Sequence, residues 1–471
     1  MNKLKYIMLL LFALTQNMIF VQSQTLEDYL EIAVKNNPGL KADYLAYQAS
    51  LEKIPQAGAI PDAQLDMGFF LKPMDIIDGS RVADFTLMQM FPWFGTRKTA
   101  QSEANHMANM KFQKFRETRD NLYLKVYTQW FVLCGLQQKL LNNQENKKYL
   151  EQLEILAVRR FASPTGASES YPASILMQQS APSANATNAK SSMGEVSTSS
   201  SRTTSRSNSM SSMSSVPGMS EVLRIQLETI ELENNIATLL SEINFEKVKF
   251  NSLLNRPSDS EVQIPDSFEQ IPFTPDIPLA MNKMSEQNPM LIMLNEETLA
   301  YKAKQELDKK MSYPMLGVGL QYSLIKKRMA TEIPTTSMNG MDMLMPMFSV
   351  SIPIYRNKYK AQQKENELLW QSSQERYTET LNALEAELFQ IKHLLDNAAR
   401  QIELLEKQSN LAQTTYNLMV QEFVTGKSDL TNVIQVQRQL LDYQLKKSES
   451  IASYNTMVAH AQRIISFNDI K

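Results

Sequence analysis

A heptad spacing of apolar residues runs through the second half of the chain. Apolar side chains recur at gaps of three and four from Leu381 to Leu405, and the series continues to Phe423. This spacing is typical of a coiled-coil seam. Since neither glycine nor proline occurs between 357 and 425, the pattern predicts one helix of about 100 Å at the usual rise per residue. The stretch 96–160 shows a looser form of the same pattern.

Four shorter segments alternate apolar residues with small or polar ones. They are 64–69, 82–91, 316–323 and 342–352. Alternation over about ten residues is typical of strands in outer-membrane barrels; half-buried hairpins of a soluble domain are the alternative. Because the smallest outer-membrane barrels have about eight strands, four strands cannot close a barrel and several chains must share one. Three chains would supply twelve strands.

The chain contains the same order of motifs twice. Asn37-Pro38 and Asn288-Pro289 each lead into an amphipathic stretch, and Pro92 and Pro353 each separate an alternating segment from a long helix. Such self-similarity predicts a repeat of helix, helix, strand, strand, long helix, helix. The predicted divisions are a first repeat at 24–257, a linker at 258–275 and a second repeat at 276–471.

The N-terminus has the features of a secretory signal peptide at 1–23. Lys3 and Lys5 precede an apolar run over 6–21, and a cut is expected near Gln24. A membrane anchor is the alternative, but the run is short and is interrupted by polar residues. An exported chain of this kind could be periplasmic, secreted or an outer-membrane barrel.

The composition argues against several other classes of protein. The net charge is -2, with 48 basic and 50 acidic residues, whereas phosphate binding needs a basic excess, so we expect no nucleic acid partner. No nucleophile elbow, phosphate loop or zinc motif is present, and Cys134 has no second cysteine to pair with. The sequence therefore predicts neither an enzyme nor a cofactor.

At this point the sequence resembles the TolC-like outer-membrane efflux family. The resemblance rests on the paired Asn-Pro motifs, on Pro92 and Pro353, and on the turn 423–430 that leads into Val433. It implies a mainly helical fold with membrane β-structure: a long coiled-coil helical barrel in the periplasm and four strands per chain in a trimeric, twelve-stranded barrel in the outer membrane. It also implies a passive channel that works with a periplasmic adaptor and an inner-membrane pump.

In that family the turns between long helices form the tip at which the adaptor docks. Carried over, this assigns Phe161, Phe423, Gly426 and Asp429 to the tip. The first turn departs from the pattern, because an insertion at about 163–218, rich in serine and methionine, follows Phe161.

The abundance of methionine suggests which substrate the channel exports. The chain has 28 methionines, and thioether sulfur is a soft ligand that favours Cu(I) and, by the same softness, Ag(I). Candidate ligands on the strands or in the insertion are Met88, Met90, Met343, Met345, Met347, Met193, Met210 and Met213. This resembles the copper and silver branch of the family. The alternative is that methionine only fills apolar space and that the channel exports drugs or general cargo.

Two further classes of protein compete with a channel. A periplasmic coiled-coil adaptor predicts one helical hairpin and a β-rich remainder. A structural coiled-coil protein would not need strand pairs bounded by proline.

Overall fold

The computed structural model describes residues 25–76, 78–162, 217–274, 276–327 and 339–467. The predicted signal peptide, nearly all of the insertion, and Met193, Met210 and Met213 lie outside the described residues. None of the helices that are described is long and apolar enough to cross a membrane.

The helices and strands of the first repeat follow the predicted order. They are α1 (Leu26–Asn36), α2 (Pro38–Leu51), a short α3 (Lys53–Ala57), β1 (Gln64–Ile76), β2 (Gly79–Phe91), α4 (Thr96–Ala162) and α5 (Pro217–Leu253). The second repeat has the same order without an equivalent of α3. Its elements are α6 (Ile277–Gln287), α7 (Pro289–Met311), β3 (Met315–Lys326), β4 (Met343–Ser351), α8 (Arg356–Val424) and α9 (Leu430–Ile465).

The paired Asn-Pro motifs mark equivalent helix starts. Asn37 and Asn288 both have extended backbone and cap the helix that follows, with proline as its first residue. Proline suits this position, because the first helical N–H has no partner within the helix. The Asn37 side chain accepts a hydrogen bond from Leu40 N at 3.0 Å. In each repeat, the Asn cap and the following proline therefore start a new helix and separate it from the short helix before it.

The four strands form one antiparallel sheet in the order β1-β2-β3-β4. β2 pairs with β3, so the two repeats meet in the middle of the sheet, and β1 and β4 are its edges. β1 is longer than the alternation predicted: the strand continues through Pro73, and pairing resumes after a register shift from Met74 to Ile76. Proline lacks an N–H and is tolerated on an edge strand, and β4 likewise contains Pro346.

Contacts divide the chain into two compact units. Among the described residues, one comprises those within 25–141, 238–408 and 443–467, and the other comprises 142–162, 217–237 and 409–442. Each unit takes segments from both repeats, so the boundaries of the compact units differ from the boundaries of the repeats.

The larger unit has two apolar cores. In the first, the buried Tyr29 ring lies 5.4 Å from Trp130 and 5.1 Å from Phe250. In the second, Leu388 and Ile391 of the predicted heptad pack with α9. The smaller unit has its own core around Leu153, Ile225 and Phe423.

The predicted linker is held against the helices. Asn455 of α9 donates to Glu269 O and accepts from Ile271 N, both at 2.9 Å. Earlier in the linker, Gln263 N donates to the Tyr29 hydroxyl at 3.1 Å. The linker therefore supplies hydrogen-bond partners to buried polar side chains of both repeats.

We expect Asn288→Ala to destabilise the fold by about 2 kcal/mol, because it removes a helix cap and leaves a buried carbonyl without its hydrogen bond. Asn288 Nδ2 donates to Ile464 O at 2.9 Å, and both groups are buried. The matched control is Asn37→Ala, which removes a cap that has no such second contact and should cost about 1 kcal/mol. Denaturant unfolding of the two variants measures the difference; equal losses would contradict the role given to the Ile464 contact.

Candidate functional site

The sheet has two chemically different faces. Residues directly opposite each other in a ladder lie on the same face. One face, called here the apolar face, carries Leu65, Met67, Phe69, Phe85, Leu87, Leu316, Val318, Leu320, Tyr322, Leu344, Phe348 and Val350. Many of these side chains are open to the surroundings: Phe348 is 82% and Phe69 70% exposed. This face requires an apolar covering.

The opposite face, called here the polar face, carries charged, hydroxyl and amide groups with glycine and methionine. Its members are Gln64, Asp66, Gly68, Asp84, Thr86, Met88, Met90, Met315, Gly317, Gly319, Gln321, Ser323, Met343, Met345, Met347, Ser349 and Ser351. Arg81, before a register shift in β2, donates to Asp84 at 2.8 Å and to the Ser323 hydroxyl at 2.9 Å. The strand methionines singled out in the sequence all lie on this face.

Two glycines of β3 make room for methionine side chains. Gly319 is paired with Met88 on one side and with Met347 on the other. A Cβ added at Gly319 would lie 3.0 Å from the Met88 sulfur, and one added at Gly317 would lie 2.6 Å from the Met90 sulfur. The thioethers of β2 therefore occupy the space over the glycines. Within the described residues, no three His, Cys, Asp or Glu side chains are grouped as a metal site.

The turn between α8 and α9 is a Schellman motif. Lys427 N donates to Glu422 O at 2.9 Å and Gly426 N donates to Phe423 O at 3.1 Å. Gly426 has a φ of 79°, which favours glycine because a Cβ would meet the backbone. The last carbonyls of α8 thus find donors within the turn.

Phe423 supports this turn from inside. Its side chain is fully buried, and the Arg160 guanidinium lies 4.6 Å from its ring centre. Arg160 also donates to Ser428 O at 3.4 Å. In the single chain Phe423 therefore has no surface for a partner, whereas Val424 is 55% exposed. Phe161 lies in the last turn of α4, but its side chain is outside the described part of the chain.

Asp429 forms a carboxyl pair with Glu221, which the sequence analysis missed. Burial raises the pKa of Glu221, the hydrogen bond to Asp429 raises it further, and the charge of Arg160 opposes both. A hydrogen bond between two carboxyl groups requires a proton on one of them, and the raised pKa of Glu221 favours its protonated form. No local motif could reveal Glu221, because it follows the insertion and lies about 200 residues before Asp429 in the sequence.

Two more polar contacts join α5 to α9 within the smaller unit. Arg224 donates to the Thr431 hydroxyl at 3.0 Å. Arg438 contacts the Glu228 carboxylate, with Nε at 2.9 Å. The turn is thus tied by side chains to the neighbouring helical pair.

Comparison with known proteins agrees with this architecture. Residues 280–460 match the family described as outer membrane efflux protein. No curated protein sequence matches the chain.

Several solved structures share the fold. VceC from Vibrio cholerae aligns with a TM-score of 0.65 at 11% identity, covering 93% of this chain and 95% of that one. CusC aligns at 0.65 and 12% identity, over 94% and 92% of the two chains. The Campylobacter jejuni CmeC outer membrane channel aligns at 0.63 and 9% identity, over 93% and 85%. At these identities the likeness shows the fold alone.

The carboxyl pair predicts a pH dependence of the turn. Since the pKa of folded Glu221 is raised, the folded turn binds a proton more tightly than the unfolded chain, and its stability falls as pH rises through that pKa. Glu221→Gln keeps a hydrogen-bond partner and removes the charge, so we expect greater protection near neutral pH and a weaker pH dependence. Hydrogen-exchange protection factors for 420–435 measure this; the matched control is exposed Glu231→Gln, and equal effects of both would contradict the pairing.

Proposed function

Because its second repeat matches the outer membrane efflux protein family and its fold is that of outer-membrane channels, we propose that this chain forms the outer-membrane channel of a tripartite efflux system. It conducts substrates passively from the periplasm to the exterior and catalyses no reaction. The observation that carries the proposal is the sheet, which has one apolar face, one polar face and two unpaired edges.

The sheet supports a homotrimer. An open strand edge in lipid would leave backbone N–H and C=O groups without partners. Four strands are too few to close a barrel on themselves. Three copies joined from β4 to β1 supply twelve strands and remove every edge. The apolar face then contacts lipid and the polar face lines the lumen.

Exposed aromatic side chains gather where strands meet helices. Trp93 and Phe94 follow β2, and Tyr355 precedes α8; Phe94 is 80% and Tyr355 84% exposed. Trp93 lies 5.5 Å from Tyr313, which precedes β3. Aromatic girdles are typical of the boundary between bilayer and water. We place the periplasmic membrane surface here, with the helices in the periplasm beyond it.

The turn at 424–427 is the proposed docking surface for the adaptor. These residues are exposed, while buried Phe423 holds the turn in shape. Gly426 fixes the reversal, and Asp429 acts through its pairing with Glu221. The inner-membrane pump is reached through the adaptor.

Phe348→Arg tests the orientation of the sheet. We expect it to abolish the outer-membrane trimer, because a cation at the lipid face costs about 2–4 kcal/mol near the bilayer centre. Ser349→Arg, one residue away on the polar face, is the matched control and should assemble. Membrane fractionation and the mass of the detergent-solubilised particle are the readouts. If Phe348→Arg assembled and Ser349→Arg did not, the assignment of the two faces to lipid and lumen would be reversed. A wild-type monomer that is soluble without detergent would rule out the channel.

A copper or silver cargo is a second, finer proposal, supported by the methionines on the polar face. Met88, Met90 and Met347 surround Gly317 and Gly319, and soft thioethers suit a monovalent soft cation. Weak contacts of this kind would pass a cation along the lumen while leaving selection to the pump.

Replacing Met88, Met90 and Met347 with leucine should lower copper and silver tolerance and leave drug tolerance unchanged, because leucine keeps the volume and removes the sulfur. Met67→Leu on the apolar face is the control. Growth of complemented deletion strains against metals and drugs measures the effect. Unchanged metal tolerance together with drug sensitivity of the deletion strain would favour the drug or general channel.

A further inference from the structure

A cavity of about 760 Å³ lies along the N-terminal part of α4, between the α2–α3 segment and α7. This volume is within the usual range for small-molecule sites. Ala57, Ala100 and Ala104 line it, and their short side chains leave the space open. The cavity lies wholly within the larger unit and is separate from the sheet and the turn.

The cavity has an apolar wall. Met107, Met110, Met293 and Leu307 line it. Methionine is unbranched and flexible, so a wall of this kind adapts to an apolar guest. Met107 remains 37% exposed, which means that the helices do not cover it.

Three lysines give the cavity a basic border. Lys53, Lys111 and Lys114 line it. Lys114 also pairs with Glu117 at 2.8 Å. Within the described residues, neither Lys53 nor Lys111 has a carboxylate in ion-pair range. Glu103, the one acidic residue of the lining, is already paired with Lys304 at 3.0 Å.

The positive charge of the three lysines distinguishes between two classes of ligand. Three thioethers would suit a soft cation, but the lysines would repel it. An anion with an apolar body can pack against the apolar side chains of the cavity and pair with its lysines. The lining residues of α4 run from Ala100 to Lys114, which spans about 21 Å of helix, the length of a long acyl chain. Lys111 and Lys114 lie at the end of this span farther from the strands.

We propose that this cavity binds a single-chain amphipathic anion, a long acyl chain ending in a carboxylate, with its head at Lys111 and Lys114. A bilayer phospholipid fits less well. Its head would stay near the aromatic residues at the strand ends, away from those two lysines. The proposal rests on the cavity and does not depend on the transport function.

Binding of 11-(dansylamino)undecanoic acid to the full-length protein tests the proposal. The protein is held in amphipol, because detergents would compete for the cavity. Probe fluorescence should rise and saturate. Lys111→Gln together with Lys114→Gln should weaken binding about tenfold, as expected for the loss of a charged contact, and Ala104→Trp should abolish it by filling the space. Lys98→Gln, an exposed lysine of α4 outside the cavity, is the matched control.

Two further arms identify the guest. The corresponding neutral amide should bind more weakly and should not respond to the lysine changes, and palmitate should compete where phosphatidylglycerol does not. Equal binding of the neutral probe, competition by the phospholipid, or binding that persists in Ala104→Trp would each overturn the proposal. If Ala104→Trp does not assemble, the lysine variants and the neutral probe still decide.

Discussion

The structure depends on one constraint: in a single chain, the four-stranded sheet leaves its two edges unpaired and its apolar face exposed. Its edge strands β1 and β4 each lack a neighbour on one side, and its apolar face exposes side chains such as Phe69 and Phe348. Exposed backbone groups and an extended apolar surface both require partners. In the proposed trimer, lipid would cover the apolar face and copies of the chain would pair with the edges. The opposite face of the sheet is polar, as the proposed lumen requires.

The second consequence concerns how the repeats are joined. Pairing of β2 with β3 puts the repeats side by side, and the helices leaving the sheet keep that order. Lys304 of α7 pairs with Glu103 of α4 at 3.0 Å, and His106 lies 2.7 Å from Glu296. Both contacts join α4 of the first repeat to α7 of the second, so each carboxylate has its partner in the other repeat. Within the larger unit, helices of the two repeats are therefore direct neighbours.

The helical turn places a buried aromatic ring directly beside exposed residues. The resemblance assigns Phe423 to a docking tip, yet its ring is buried beneath Arg160. Burial of an aromatic ring fixes the shape of the turn, and Gly426 lets the chain reverse there. In the proposed docking, contact with an adaptor would fall to the exposed residues from Val424 to Lys427, while buried Phe423 supports the turn.

The sequence by itself determined the periodic and local features. Heptad spacing, uninterrupted by glycine or proline, specifies the long helix α8, and alternation specifies the faces of the strands, because both depend only on neighbours along the chain. The Asn-Pro caps and Gly426 were readable for the same reason. The end of β1 was not, since the pairing beyond Phe69 continues across a register shift and Pro73 without an alternating pattern. The Glu221–Asp429 pair, the gathering of Met88 and Met347 around Gly319, and the cavity beside α4 were decided only by the tertiary structure. Each depends on side chains from separate segments meeting in space, and no spacing along one segment encodes that distance.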